Sequence, residues 1–157
     1  MRQGTKRYRC WAVSVALLVG VSGRGTLSWG QMPGELTQLL GFDGCIAEVG
    51  GATCTDGRAL GDPLGSGAVT ISPDGKHVYV ASLIGDAVAV FTRNKTTGAL
   101  TQLPGTDGCI SETGSGGVCT DGKALSDVVS VVVSKDGKHV YVASTGSDAV
   151  AAFAREK

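Results

Sequence analysis

Nine residues, Asp74 to Ser82 (D-G-K-H-V-Y-V-A-S), recur without a change at Asp136 to Ser144, and that duplication restricts the chain to folds built by repetition. Once the two copies are superposed, their flanks agree as well. L-T-Q-L at Leu36 recurs at Leu100, D-G-C-I at Asp43 recurs at Asp107, C-T-D-G at Cys54 recurs at Cys119, and D-A-V-A at Asp86 recurs at Asp148. The offset is 64 residues at first, 65 after a one-residue insertion between the cysteines, and 62 after a three-residue deletion ahead of the second copy. Insertions and deletions thus fall between motifs, as expected of a structural unit that tolerates change in its loops.

Within a unit the residues alternate with period two, which predicts strands. Ala68–Ser72 reads as a first strand, Lys76–Ser82 as a second, Asp86–Arg93 as a third and Ala99–Leu103 as a fourth. S-P-D-G makes the first connection. Pro73 presets φ, Asp74 tolerates the bridge conformation and Gly75 supplies a left-handed residue; Asp136 and Gly137 repeat the last two roles. In Lys76–Ser82 one face carries His77, Tyr79 and Ala81 and the other Val78, Val80 and Ser82, so both faces are expected to be covered. The second unit gives Val128–Ser134, Lys138–Ser144 and Asp148–Ala154, without a fourth strand. A fourth-type strand, Gly34–Leu39, stands ahead of the first unit, and Gly41–Pro63 reads as a long loop without periodicity.

The first thirty residues hold five of the fourteen basic residues (Arg2, Lys6, Arg7, Arg9, Arg24) and no acidic one, followed by an apolar run from Trp11 to Val21. A basic cluster and a run of that length predict a helical signal peptide over residues 1–30, with cleavage before Gln31 or after Gly23. An uncleaved anchor is the alternative. The run falls short of the ~18 residues of a membrane span, so no stable span is expected after cleavage. Without the leader the charge is 9 − 14 = −5, and with no basic cluster left, nucleic acid is not an expected partner. Both tryptophans lie in the leader. The remaining core has five aromatics, Phe42, Tyr79, Phe91, Tyr141 and Phe153, and the 25 glycines of the chain suit short strands and tight turns.

Four-stranded antiparallel units covered on both faces and repeated in tandem are the pattern of β-propeller blades. The fold class read from the chain is all-β: a partial β-propeller of two four-stranded blades, 34–97 and 98–157, within a region spanning 31–157 and preceded by a signal helix. S-P-D-G-K-H-V-Y-V-A-S, the following D-A-V-A-V-F and T-T-G-A-L-T together resemble blade repeats of the YVTN and lactonase-like β-propeller family. The resemblance covers about 120 residues, with two units present where a closed ring of the family has about six or seven. It implies a lactonase-like hydrolase if the chain belongs to a complete ring. Neither the W-D nor the G-H signature of WD repeats occurs.

The leader makes disulfides the leading reading of Cys45, Cys54, Cys109 and Cys119. Duplication of both partners together favours Cys45 with Cys54 and Cys109 with Cys119 over the other pairings. Loops of this length would each gain about 2.7 kcal/mol in the chain-entropy model. Separations of nine and ten do not suit tetrahedral zinc, and the loop acids (Asp43, Glu48, Asp56, Asp62; Asp107, Glu112, Asp121, Asp127) lack the D-x-D-x-D-G spacing of a calcium loop. No metal or other cofactor is expected. His77 and His139 occupy one position of both units, which points to a role in the repeat, and no catalytic residue is assigned. The function expected from these features is an exported, periplasmic or extracellular propeller module. It would have a non-enzymatic binding or scaffold role and would associate with itself, with other blades, or with an extracellular ligand. A lactonase-like hydrolase and a truncated reading frame without independent function are the alternatives.

Overall fold

The computed structural model describes residues 33–61 and 68–157. The expected signal peptide, its candidate cleavage sites and Asp62 lie outside them. The chain divides after Leu36, and the fold belongs to Thr37–Lys157.

The strands in chain order are β1 (Ile46–Ala47), β2 (Thr55–Asp56), β3 (Val69–Ile71), β4 (His77–Ser82), β5 (Ala87–Arg93), β6 (Leu100–Gln102), β7 (Cys109–Ser111), β8 (Thr120–Asp121), β9 (Val128–Val133), β10 (His139–Ser144) and β11 (Ala149–Ala154). The described chain is all-β, with short 3-10 turns and two antiparallel sheets in the manner of consecutive propeller blades. In the first, β3, β4, β5 and β6 form an antiparallel meander. In the second, β9, β10 and β11 do the same.

The nine-residue repeat forms the β3–β4 and β9–β10 hairpins by one local mechanism. Gly75 N–H donates to Ser72 O at 2.8 Å, and the Asp74 carboxylate accepts from the Ser72 hydroxyl at 2.5 Å and from Lys76 N–H at 3.1 Å. Asp136 accepts from the Ser134 hydroxyl at 2.5 Å and from Lys138 N–H at 3.0 Å. Gly75 and Gly137 sit at φ of +69° and +70°, where a Cβ would be strained.

Two expectations are corrected. Gly34–Leu39 forms no strand: it pairs with no other strand among the described residues, and six residues of alternation do not make a strand without a partner. Gly41–Pro63 is more than a loop, since β1 and β2 pair in parallel within it. In the second copy the same device is built into a sheet: β7 pairs antiparallel with β5, opposite the stretch that β6 leaves free, and β8 runs parallel to β7. Segments of two or three residues are too short to show a periodicity.

The main core lies between the two sheets. Tyr79, Ala81 and Val88 of the first face Val131, Val140 and Val142 of the second, with Leu125 and Val128 fully buried between them. A smaller cluster of Val78, Ala89 and Phe91 occupies the other face of the first sheet, covered by Ile46 from the first cysteine loop and Leu60 beyond it. Both faces of β4 are therefore covered. In β10 the covered face is that of Val140, Val142 and Ser144, and His139 and Tyr141 are exposed.

Candidate functional site at the junction of the sheets

Arg155 follows β11, and its backbone N–H donates to Lys138 O at 2.8 Å. That bond fixes where its side chain leaves the second sheet. Nη1 donates to Gly137 O at 2.9 Å, within its own unit. The remaining donors cross to the first sheet: Nε to the Tyr79 hydroxyl at 2.9 Å, and Nη2 to Asp74 Oδ2 at 2.9 Å and Oδ1 at 3.1 Å. Nη2 also lies 2.8 Å from His77 Nδ1. A guanidinium has no acceptor, so Nδ1 must accept and the neutral imidazole carries its proton on Nε2.

The Arg155 side chain is 3% exposed and that of Asp74 29%. Hydrogen bonds from Ser72, Arg155 and Lys76 hold the Asp74 carboxyl well below the usual carboxylate range. Burial, the charge of Arg155 and the charge of Lys76 push His77 down, outweighing Asp74. Burial raises Tyr79. Burial opposes the charge on Arg155, but the bonds to Asp74 and Tyr79 outweigh it and raise the guanidinium. All four groups thus stabilise a charged Arg–Asp pair beside a neutral imidazole, an arrangement that fastens the sheets.

Arg93 stands in the first unit where Arg155 stands in the second, and it repeats the local bond, Nη1 to Gly75 O at 3.4 Å. Sequence reading passed over both arginines. Their signal was their shared place 62 residues apart, but a single unit gives no hint that the side chain crosses to its neighbour.

A cleft of about 390 Å³ opens beside the cluster, with His77, Tyr79, Arg155, Asp107 and Glu156 among its lining residues. A larger space of about 570 Å³ around Gln38–Thr53 has no titratable group in its lining.

Disulfides join Cys45 to Cys54 and Cys109 to Cys119. The acids of these loops cap amides. Glu48 accepts from Leu60 N–H at 2.6 Å, Glu112 accepts from Leu125 N–H, and Asp56 accepts from Gly50 N–H at 2.7 Å. Among the described residues no three histidine, cysteine, aspartate or glutamate side chains gather as a metal site would require. The loops also tie the chain across units, since Gln102 exchanges two bonds of 2.9 Å with the Arg58 backbone.

No family model and no curated protein matches the chain. Among solved structures it is similar to a protein from Lactobacillus plantarum, at 27% identity and a TM-score of 0.45 over 57% of this chain and 24% of that one. It is also similar to a candidate 6-phosphogluconolactonase from Bacteroides fragilis, at 26% identity and a TM-score of 0.39 over 59% of this chain and 22% of that one. A third similarity is to a candidate 6-phosphogluconolactonase from Bacteroides uniformis, at 20% identity and a TM-score of 0.43 over 62% and 25%. The chain spans about a quarter of the length of these proteins. Likenesses of that extent assign no activity to it.

Proposed function

We propose that the chain is an exported, non-enzymatic repeat module of a β-propeller, of the YVTN and lactonase-like kind its repeats resemble. Its recurring polar residues fasten one blade to the next. The observation that carries this reading is the environment of His77. A general base needs a free lone pair, and the Nδ1 lone pair of His77 is occupied by the Arg155 guanidinium while Asp74 is held as its counter-ion. Two local disulfides accord with an oxidising compartment, as does the basic cluster followed by the apolar run Trp11 to Val21.

A lactonase-like hydrolase is the second reading, favoured by the cleft beside Arg155, which His77, Tyr79, Asp107 and Glu156 also line. Hydrolysis of simple and phosphorylated six-membered sugar lactones, followed by acid release, separates the two. The module reading expects no turnover above the uncatalysed rate. Turnover that is lost in His77→Gln with the fold intact would establish the hydrolase instead.

A further inference from the structure

The interface between the two sheets has two halves, and the chain carries a second, uncovered copy of each. The half supplied by the first sheet is Asp74, His77, Tyr79 and Val88; its repeat on the second sheet is Asp136, His139, Tyr141 and Val150. The half supplied by the second sheet includes Val131, Val133 and Arg155; its repeat on the first sheet is Val69, Ile71 and Arg93. Exposure separates the used from the unused copies. Tyr79 is 7% exposed against 40% for Tyr141, Val88 is 2% against 69% for Val150, and Val131 is 5% against 64% for Val69. The cluster of Val78, Ala89, Phe91, Ile46 and Leu60 is the same interface half-built. Its members repeat as Val140, Ala151, Phe153, Ile110 and Leu125, all in or packed on the main core.

We infer that a second copy of this chain seats head to tail, its first sheet covering the outer face of the second sheet with the contacts already made inside one chain. Arg93 of one copy enters the cluster of Asp136, His139 and Tyr141 on its neighbour. Asp136 is prepared for a cation, since the bonds from Ser134 and Lys138 hold its carboxyl below the usual range. The strand edges match too. β7 pairs with β5 as Ala87 to Ser111, Val88 to Ile110 and Ala89 to Cys109. Carried over by the repeat, this register sets Ala149, Val150 and Ala151 of β11 opposite Ala47, Ile46 and Cys45 of the next copy. The patch is heterologous, so repetition either closes a ring or continues. Three copies bring six blades, within the range of about four to eight seen in closed propellers.

This inference rests on the module reading above, and charge reversal tests the two separately. Light scattering after size exclusion of the full chain is expected to show a multiple of the single-chain mass at micromolar concentration. Arg93→Glu and Asp136→Arg alone should each return it to one chain, with most of the strand signal in circular dichroism retained although Asp136→Arg also removes the turn bonds to Ser134 and Lys138, and the double variant should restore the multiple. A single-chain mass for the native protein, or a multiple that neither reversal alters, would overturn the inference. Arg155→Glu acts inside the chain. If it leaves thermal stability unchanged, the fastening role proposed for the module falls, whatever the mass of the native protein.

Discussion

At the scale of single residues, His77 is the most informative group because a proton and a guanidinium compete for its Nδ1. Arg155 and Lys76 disfavour the imidazolium and Asp74 favours it, and burial decides the balance downward. The folded state therefore binds the proton more weakly than the unfolded chain, whose histidine keeps a pKa of about 6.5. Stability should fall as pH drops from about 6.5 towards the folded value, because only the unfolded chain gains the proton there. Asp74 is depressed as well. Its contribution is present above the unfolded value of 3.8 and is lost as pH falls through its lower folded one, so both groups make acid destabilising. Chemical-shift titration of His77 should give a midpoint below the usual histidine range, and Arg155→Ala should raise it by removing the facing cation. That substitution also leaves Tyr79 and Asp74 without their buried donor, so melting should drop by roughly 5 °C or more. Arg155→Lys should rescue little, since one ammonium cannot reproduce the fork.

At the scale of elements, the hairpins were legible and the loops were not, for one reason. A hairpin is written in its own residues: Ser72, Asp74 and Gly75 close the turn with each other, and the alternation of Lys76–Ser82 is long enough to read. β4 was expected to be covered on both faces, and it is. The strand expected over Gly34–Leu39 and the parallel pairs β1–β2 and β7–β8 depend on a neighbour, which local sequence does not name. Gly75→Val or Gly137→Val should destabilise by more than ~1 kcal/mol in urea titration, because both sit at positive φ. Pro73→Lys should be nearly silent, since Lys135 fills that place in the other hairpin. The cysteine loops have a second role that their composition concealed. Ile110, within the second loop, packs on the main core, and Leu125 beyond it is fully buried there. Reduction of Cys109–Cys119 should therefore loosen the junction of the sheets, with most far-ultraviolet strand signal retained. Accelerated amide exchange in β7 and β8 under reductant would register it.

At the scale of the whole molecule, one pattern of apolar residues is packed twice to different extents, and equivalent substitutions should therefore cost different amounts. Leu125 is fully buried between the sheets, whereas Leu60, its counterpart, is partly buried over one of them. Leu125→Ala should cost about 2–5 kcal/mol, with Leu60→Ala well below it. Val131 and Val69 make the sharper pair. Val131 is almost wholly enclosed, so truncation to alanine removes apolar contact with both sheets and should cost roughly 2 kcal/mol. Val69 is mostly exposed in the single chain and has little burial to lose. In a dilute sample, urea unfolding of Val69→Ala should follow the native curve within about 0.5 kcal/mol. When a second copy covers that face, the same valine takes the environment of Val131, and the cost of its truncation should rise with protein concentration towards that of Val131→Ala. Urea midpoints of both variants across a hundredfold range of concentration check this. A gap between them that closes as concentration rises is expected for two halves of one repeated interface, and a constant gap would mean that the face around Val69 stays open to water.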